Sequence, residues 1–194
     1  MADLVGLVGA LVPGRRVLLG HVDVQEPHVL DVVREAGEGA DLVPLFLSAG
    51  MHVRQDVLDA ARTAHAAVVR PHLGARPIIE ELLVEQARAV AGDGPLLMAS
   101  AGSSHESARA EVIALARRVS VRADREVLVG FLGGPGPSAA DLAGRVDGVL
   151  THLLSPGHFA GRVAELSVAH GIPAGPPLLA VDGAADRIAV ALVS

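Results

Sequence analysis

The 194-residue chain contains no cysteine, no tryptophan and no tyrosine, and aromatic residues make up only 2% of it. Without cysteine, the chain has no disulfide, no thiolate nucleophile and no cysteine-ligated zinc or iron–sulfur site. Because aromatics are scarce, the core has to be built from valine, leucine, alanine and isoleucine. We expect a cytoplasmic location, since a chain without cysteine does not need an oxidising compartment in which to form disulfides.

Clustered positive charge and long hydrophobic runs are also missing. The chain has 16 Lys and Arg against 22 Asp and Glu, a net charge of -6, and no long basic run. We therefore expect no nucleic-acid partner, because phosphates are bound by clustered cations. The apolar N-terminal stretch is shorter than the roughly 20 residues that span a bilayer, so we expect no membrane partner. This stretch is predicted to be a short helix that ends at Pro13 and Gly14.

Short apolar segments alternate with helical patterns along the chain. The apolar segments are rich in Val and Leu, as parallel strands covered on both faces are. The predicted strands are 16–22, 40–47, 66–73, 95–100, 125–132, 147–154 and the region around 171–179. The predicted helices are 26–37, 53–65, 77–92, 103–120, 138–146, 157–171 and 183–193. This pattern predicts an α/β fold with a doubly wound parallel sheet in each of two halves, 1–92 and 93–194.

The two halves resemble each other in three blocks that occur in the same order. The shift between aligned positions is 110 residues in the first block, 107 in the second and 105 in the third. The aligned blocks are 17–33 with 127–143, 45–53 with 152–160, and 70–75 with 175–180. Three blocks in one order indicate an internal repeat, and the decreasing shift places small deletions in the second half.

The repeat also predicts a missing segment. The second half opens with LLMASAGSSHESA, a strand and a Gly-Ser loop whose first-half counterpart would precede Met1. Such a strand is normally internal, so its loss would expose backbone pairing groups. We expect a start upstream of Met1; otherwise another segment or a second chain fills the place, which leaves self-association open.

A histidine and an aspartate follow predicted strands at the edge where open α/β sheets bind ligands. Imidazole at His52 can accept a proton near neutral pH or ligate a metal, and a carboxylate at Asp23 can stabilise a cation. A capping or packing role at a helix start is the alternative for both residues. The repeat aligns Phe159 with His52 and Gly133 with Asp23, so this polar pair is predicted in the first half only.

The other histidines show no ligand spacing and are interpreted as scattered. They are His21, His28, His65, His72, His105, His152 and His170, with His158 as a surface residue. The loop 101–106 could accept an anion at a helix N-terminus, but it lacks nucleotide-binding glycine spacing. Capping by Ser103 and Ser104 is favoured, and a phosphate-type ligand there is the alternative.

The segment VPLFLSAGMHVRQDV resembles a motif of the class II tetrapyrrole chelatases, the sirohydrochlorin cobalt and iron chelatases. Their pattern is a strand, a small-residue turn and G-x-H-V-x-x-D, here residues 50–56. HVDVQEPHV and PHLGARPIIEELL resemble further family segments, as do GSSHESA, FLGGPGPS and LLSPGHFAGRV in the second half. The likeness covers nearly the whole chain.

This resemblance implies an ATP-independent metal chelatase, a lyase. Its metal substrate would be Co2+ or Fe2+, with Ni2+ as a further candidate, and no cofactor would be tightly bound. The metal would enter a sirohydrochlorin-type tetrapyrrole for cobalamin or siroheme synthesis, in a cleft between two chelatase-like halves.

The resemblance also implies roles for single residues. His52 would be a catalytic proton acceptor and metal ligand, and Asp23 its acidic partner and a second metal ligand. The implied substrate-binding residues are Ser48, Gly50, Met51 and Arg54. The family's other histidine lies in an A-H-G-S/T loop that the first half lacks, and the second-half loop is ASAGSS. The alternative function is therefore a non-catalytic tetrapyrrole- or metal-binding homologue.

Overall fold

The structure is a computed structural model that describes residues 2–22, 25–50, 56–63 and 68–194. The described helices are α1 (Ala2–Leu11), α2 (Val29–Ala36), α3 (Leu58–Thr63), α4 (Pro77–Ala89), α5 (Glu106–Ala123), α6 (Ala139–Leu142), α7 (His158–His170) and α8 (Ala184–Val193). The described strands are β1 (Asp41–Leu42), β2 (Val68–Val69), β3 (Leu96–Ser100), β4 (Val127–Phe131) and β5 (Gly148–His152). None of the helices in these ranges is both long and apolar enough to cross a bilayer.

The chain forms two compact units. Unit 1 contains residues 1–76 and 185–194, and unit 2 contains residues 77–184. Helix α4 follows the last block of the first-half repeat but packs in unit 2, against α5 and β5. Helix α8 follows the corresponding block of the second half, and nearly all of it belongs to unit 1. The division of the sequence at residue 92 stays a prediction, because the repeat and the compact units divide the chain by different criteria.

Unit 2 is built on a parallel sheet in the order β4–β3–β5. The central strand β3 is buried along all five of its residues, and so is β5. Leu97 pairs with Leu128 on one side and Val149 on the other. Helices α4, α5, α6 and α7 pack against the sheet strands. The continuous apolar runs of this half are therefore explained by burial on both faces, and the predicted strands 95–100, 125–132 and 147–154 are confirmed.

In unit 1, β1 pairs in parallel with β2. Each strand is two residues long, which is much shorter than the predicted strands 40–47 and 66–73. Pro44 and Pro71 follow the paired residues closely, and proline has no backbone N–H to continue a ladder. The apolar core beside the strands consists of Val29, Val33 and Ala60. The predicted α/β architecture is confirmed, but in unit 1 the strand lengths were wrong for this reason.

The internal repeat recurs in backbone hydrogen bonds of the two units. His21 N donates to Pro27 O over 2.9 Å, and Phe131 N donates to Pro137 O over 2.8 Å. These two pairs are related by the shift of 110 residues found in the first block. In the described structure the predicted strand 16–22 is reduced to a single bridge at His21.

The later repeat blocks correspond in the same way. Leu42 pairs with Val69 in unit 1, and Val149 forms a bridge with Ala174 in unit 2. Short 3-10 helices then follow at Leu73–Ala75 and Leu178–Ala180, a shift of 105 residues. In these described segments the sequence repeat is thus also a repeat of structure.

A nearly buried arginine anchors the loop before β3 in unit 2. The Arg125 side chain is 9% exposed and donates to Val90 O over 2.8 Å and to Gly94 O over 2.7 Å. Its guanidinium also lies 3.3 Å from Asp147 Oδ2, which accepts from Gly94 N over 2.7 Å. A single cation therefore joins two backbone carbonyls and one carboxylate in a partly buried loop.

Candidate functional site

The structure describes only part of the predicted site. Asp23, Met51, His52 and Arg54 lie outside the described residues. Ser48 and Gly50 are described; both are partly buried, and Gly50 N donates to Ser48 O over 2.9 Å in a tight turn. Among the residues in the described ranges, no group of three or more His, Asp or Glu could hold a metal ion. The substrate-binding roles of Ser48 and Gly50 stay predictions.

The backbone before this turn is held by a second segment of unit 1. Leu73 N donates to Pro44 O and Gly74 N donates to Phe46 O, each over 2.9 Å. Leu73 is fully buried. A Cβ on Gly74 would lie 2.0 Å from Leu47 O, so the two segments can approach this closely only because residue 74 is glycine.

We call this contact between residues 72–74 and residues 44–47 the clamp, and the side chain of His72 is part of it. Its Nδ1 lies 3.2 Å from Phe46 O, and the ring is partly buried. Because a carbonyl oxygen only accepts, this hydrogen bond requires the proton on Nδ1. Ligand spacing does not reveal His72. The repeat could have done so, because it aligns Pro177 with His72 and thereby marks a difference between the halves.

In unit 2 a cavity of about 250 Å3 lies beyond the carboxyl ends of β3 and β4. This is the edge where ligands of open α/β sheets bind. Its lining residues are Ala101, Gly102, Ser103, Ser104, Gly133, Gly134 and Phe159. A Cβ on Gly133 would lie 3.8 Å from Phe159 Cε1. Positions 133 and 159, the repeat counterparts of Asp23 and His52, therefore line one cavity, and a side chain at position 133 would reach Phe159.

The serines of this cavity are used within their own loop. Ser103 Oγ accepts from His105 N over 3.1 Å, which closes a turn before α5. Arg109 Nη1 donates to the carbonyl oxygens of Ser103 and Ser104, over 2.8 and 3.0 Å. The predicted serine cap was wrong by one or two positions: the N-cap of α5 is His105, because the Ser103 hydroxyl is taken by the turn.

A buried histidine ends strand β5 of the same unit. His152 is 2% exposed, and its Nδ1 lies 3.1 Å from the Oγ of Ser100 at the end of β3. Nε2 has no hydrogen-bond partner among the described residues. Burial lowers the pKa of His152 to about 4, so the ring is neutral at neutral pH. The repeat aligns Leu45 with this position, which marks it as part of the packing.

Comparison with known proteins agrees with the motifs. The CbiX family model matches residues 1–90. A comparison with curated protein sequences gives no match. Among solved structures, SirB from Bacillus subtilis with Fe3+ is similar with a TM-score of 0.79 at 16% identity, over 99% of this chain and 86% of that one.

Two further solved structures are similar over most of their lengths. CbiX, described as the terminal enzyme for biosynthesis of siroheme in denitrifying bacteria, has a TM-score of 0.73 at 21% identity, over 98% of this chain and 88% of that one. The sirohydrochlorin chelatase SirB from Bacillus subtilis subspecies spizizenii, in complex with cobalt, has a TM-score of 0.73 at 15% identity, over 99% and 85% of the two chains.

At these identities the structural matches establish the fold, and the family model adds the sequence pattern. The matched residues 1–90 include the segments HVDVQEPHV, LSAGMHVRQDV and PHLGARP, on which the resemblance depends. The resemblance is confirmed: residues 1–90 carry the CbiX family pattern, and the chain has the α/β fold of the class II chelatases.

Proposed function

We propose that this protein inserts Co2+ or Fe2+ into a sirohydrochlorin-type tetrapyrrole, with His52 and Asp23 as the reacting pair. The observation that carries the proposal is the cavity of unit 2, which Gly133 and Phe159 both line and where a Cβ at position 133 would lie 3.8 Å from Phe159 Cε1. These residues are the repeat counterparts of Asp23 and His52. A carboxylate and an imidazole in the same arrangement would form an acid–imidazole pair at the ligand edge of unit 1.

The proposed pair suits the chemistry of metal insertion. Two pyrrole N–H protons have to leave the macrocycle as one divalent cation enters, so charge balances without an oxidant or ATP. Neutral imidazole at His52 accepts one of the two protons near neutral pH, and the other passes to water. The Asp23 carboxylate stabilises both the incoming cation and the imidazolium that forms.

The neighbouring residues suit a flat substrate with a charged periphery. Ser48 and Gly50 form a turn of small residues that leaves room for a macrocycle to approach the backbone. Arg54, two positions after His52, is the proposed partner of the peripheral carboxylates, since a guanidinium binds carboxylates through two parallel hydrogen bonds. We place the reaction in the cytoplasm.

The proposed ligand set does not select one metal. Imidazole and carboxylate accept Co2+, Fe2+ and Ni2+ alike, so selection between them depends on geometry and on metal supply. The two similar SirB structures contain Fe3+ and cobalt, respectively. Cobalamin and siroheme synthesis are therefore both proposed destinations for the product.

The test is anaerobic absorbance spectroscopy of sirohydrochlorin with each metal, with and without the protein. We expect the wild-type chain to insert metal faster than the spontaneous reaction. His52→Ala is expected to lower the rate about 100-fold or more, which is typical for loss of a proton acceptor. His170→Ala, at the exposed end of α7, is the matched control and should keep the wild-type rate.

Each other outcome favours a different function. An undiminished rate in His52→Ala refutes the role of His52. Tetrapyrrole binding without any acceleration supports the non-catalytic homologue. Binding of a sugar phosphate or nucleotide at Ser103 and Ser104, with no tetrapyrrole binding, supports the phosphate-type alternative.

A further inference from the structure

We propose that His72 is a positioning residue for His52 in metal insertion, an inference that rests on the proposed function. The imidazole of His72 holds the backbone from which the His52 loop departs. Its Nδ1 donates to Phe46 O over 3.2 Å, and Gly74 N donates to the same oxygen over 2.9 Å. The carbonyl at position 46 is thus fixed from two directions.

The clamped backbone leads directly to the proposed reacting group. Leu73 N holds Pro44 O over 2.9 Å, two residues before the carbonyl that His72 holds. Gly50 N then closes the tight turn onto Ser48 O, and His52 is two residues further along the chain. In the sequence, His52 therefore follows the clamped carbonyl of Phe46 by only six residues.

The second half shows that the turn itself does not need this side chain. Its 3-10 helix, Leu178–Ala180, also holds the backbone that follows a strand, although with different donors: Leu178 N donates to Leu153 O, the repeat counterpart of Phe46 O, and Leu179 N donates to Leu154 O, each over 2.9 Å. The counterpart of His72 in this half is Pro177, which offers no donor at all. The hydrogen bond from the imidazole therefore occurs in the half that carries His52, and in the half that carries Phe159 a proline stands in place of the histidine.

This asymmetry separates positioning from folding. A residue needed only to form the turn would be expected in both halves. Displacement of a reacting group by about 1 Å can cost about 100-fold in rate, so a weak bond that fixes a backbone carbonyl can matter for the reaction while adding little to stability.

The test uses the full chain with two substitutions of His72. His72→Leu removes the donor, and His72→Asn keeps an N–H donor near the place of Nδ1. We expect His72→Leu to lower kcat for Co2+ insertion about 10-fold, with KM for sirohydrochlorin and the melting temperature nearly unchanged. His72→Asn should restore at least half of the wild-type kcat. His170→Leu, at the exposed end of α7, is the control for replacing a histidine by leucine.

His72→Pro provides a third variant that does not depend on the folding of His72→Leu, because proline already occupies the same position of the second-half turn. It should fold and show the same low kcat as His72→Leu. The inference is overturned if the folded leucine or proline variant keeps the wild-type kcat, or if the asparagine variant is as slow as they are. A wild-type chain that inserts no metal overturns the proposed function instead, so the two failures are distinguishable.

Discussion

The buried imidazole of His152 is expected to make unit 2 sensitive to mild acid. In the folded chain, burial lowers its pKa from 6.5 to about 4, so the unfolded chain binds this proton more tightly. Stability is therefore highest above pH 6.5 and falls as the pH is lowered from 6.5 towards 4. At about 1.4 kcal/mol for each pH unit, the full loss is about 3 kcal/mol in the free energy of unfolding.

Replacement by leucine should remove this slope. Leucine is the residue at the repeat counterpart, Leu45, and Ser100→Ala in the same chain avoids leaving the hydroxyl of Ser100 without its partner. Because the chain has no tryptophan or tyrosine, urea unfolding is best followed by far-UV circular dichroism, at pH values from 7.5 to 4.5. The wild type should lose about 2 to 3 kcal/mol across that range and the double variant far less.

The main ion pairs are not expected to produce a similar slope of stability between pH 7.5 and 4.5. A hydrogen bond from Arg15 and a second one from Arg70, opposed by desolvation, lower the pKa of Asp41 below 3.8. Desolvation opposes but does not overcome Arg118 and Arg122, which together lower the pKa of Glu80 below 4.5. Groups with lowered carboxyl pKa values lose their contribution only in stronger acid. Parallel stability curves for the wild type and the double variant between pH 7.5 and 4.5 would therefore refute the neutral, buried state of His152.

Two further predictions concern stability. Gly74→Ala should lower the free energy of unfolding by about 3 kcal/mol, because its Cβ would collide with Leu47 O at 2.0 Å. Gly161→Ala in α7 has open space around the new Cβ and should raise the free energy of unfolding, measured by calorimetry, by about 0.5 to 1 kcal/mol. Equal effects of the two glycine variants would contradict the clash. Arg125→Ala should lower the free energy of unfolding by about 3 kcal/mol in urea, because it removes a nearly buried side chain and leaves Val90 O and Gly94 O, which are partly buried, without this donor. Arg62→Ala breaks the ion pair with Asp59, in which the arginine side chain is 76% exposed, and should lower the free energy of unfolding by less than about 0.5 kcal/mol. A similar loss in both arginine variants would argue against the anchoring role of Arg125.

The strands of unit 2 could be predicted because their hydrophobic runs have one explanation. Residues 96–100 are apolar except at the end, and burial on both faces is what such a run indicates. In unit 1 the same kind of run is interrupted by Pro44 and Pro71, and periodicity does not register the missing N–H. The grouping of α4 with α5 could not be predicted either, because an apolar helix face indicates that it is buried but not what covers it.

At the candidate site, the sequence predicts those residues whose chemical type suits the reaction and whose position follows a strand. His52 and Asp23 follow strands and differ from their repeat counterparts, and the family motif selects the same histidine. His72 and His152 were not selected, because the contact that distinguishes each of them is with a residue far away in the sequence: Phe46 O in one case and Ser100 Oγ in the other. Only coordinates bring such pairs together.

The grouping of α8 with unit 1 has a consequence for synthesis of the chain on the ribosome. Unit 2 is complete in sequence once residue 184 has been made, while residues 1–76 wait for residues 185–194. Ile188 and Ala189 of α8 are fully buried in the folded chain, so the segment that completes unit 1 brings core residues with it. Unit 1 is therefore completed only after unit 2, and cutting the chain at residue 92 would separate residues 1–76 from α8.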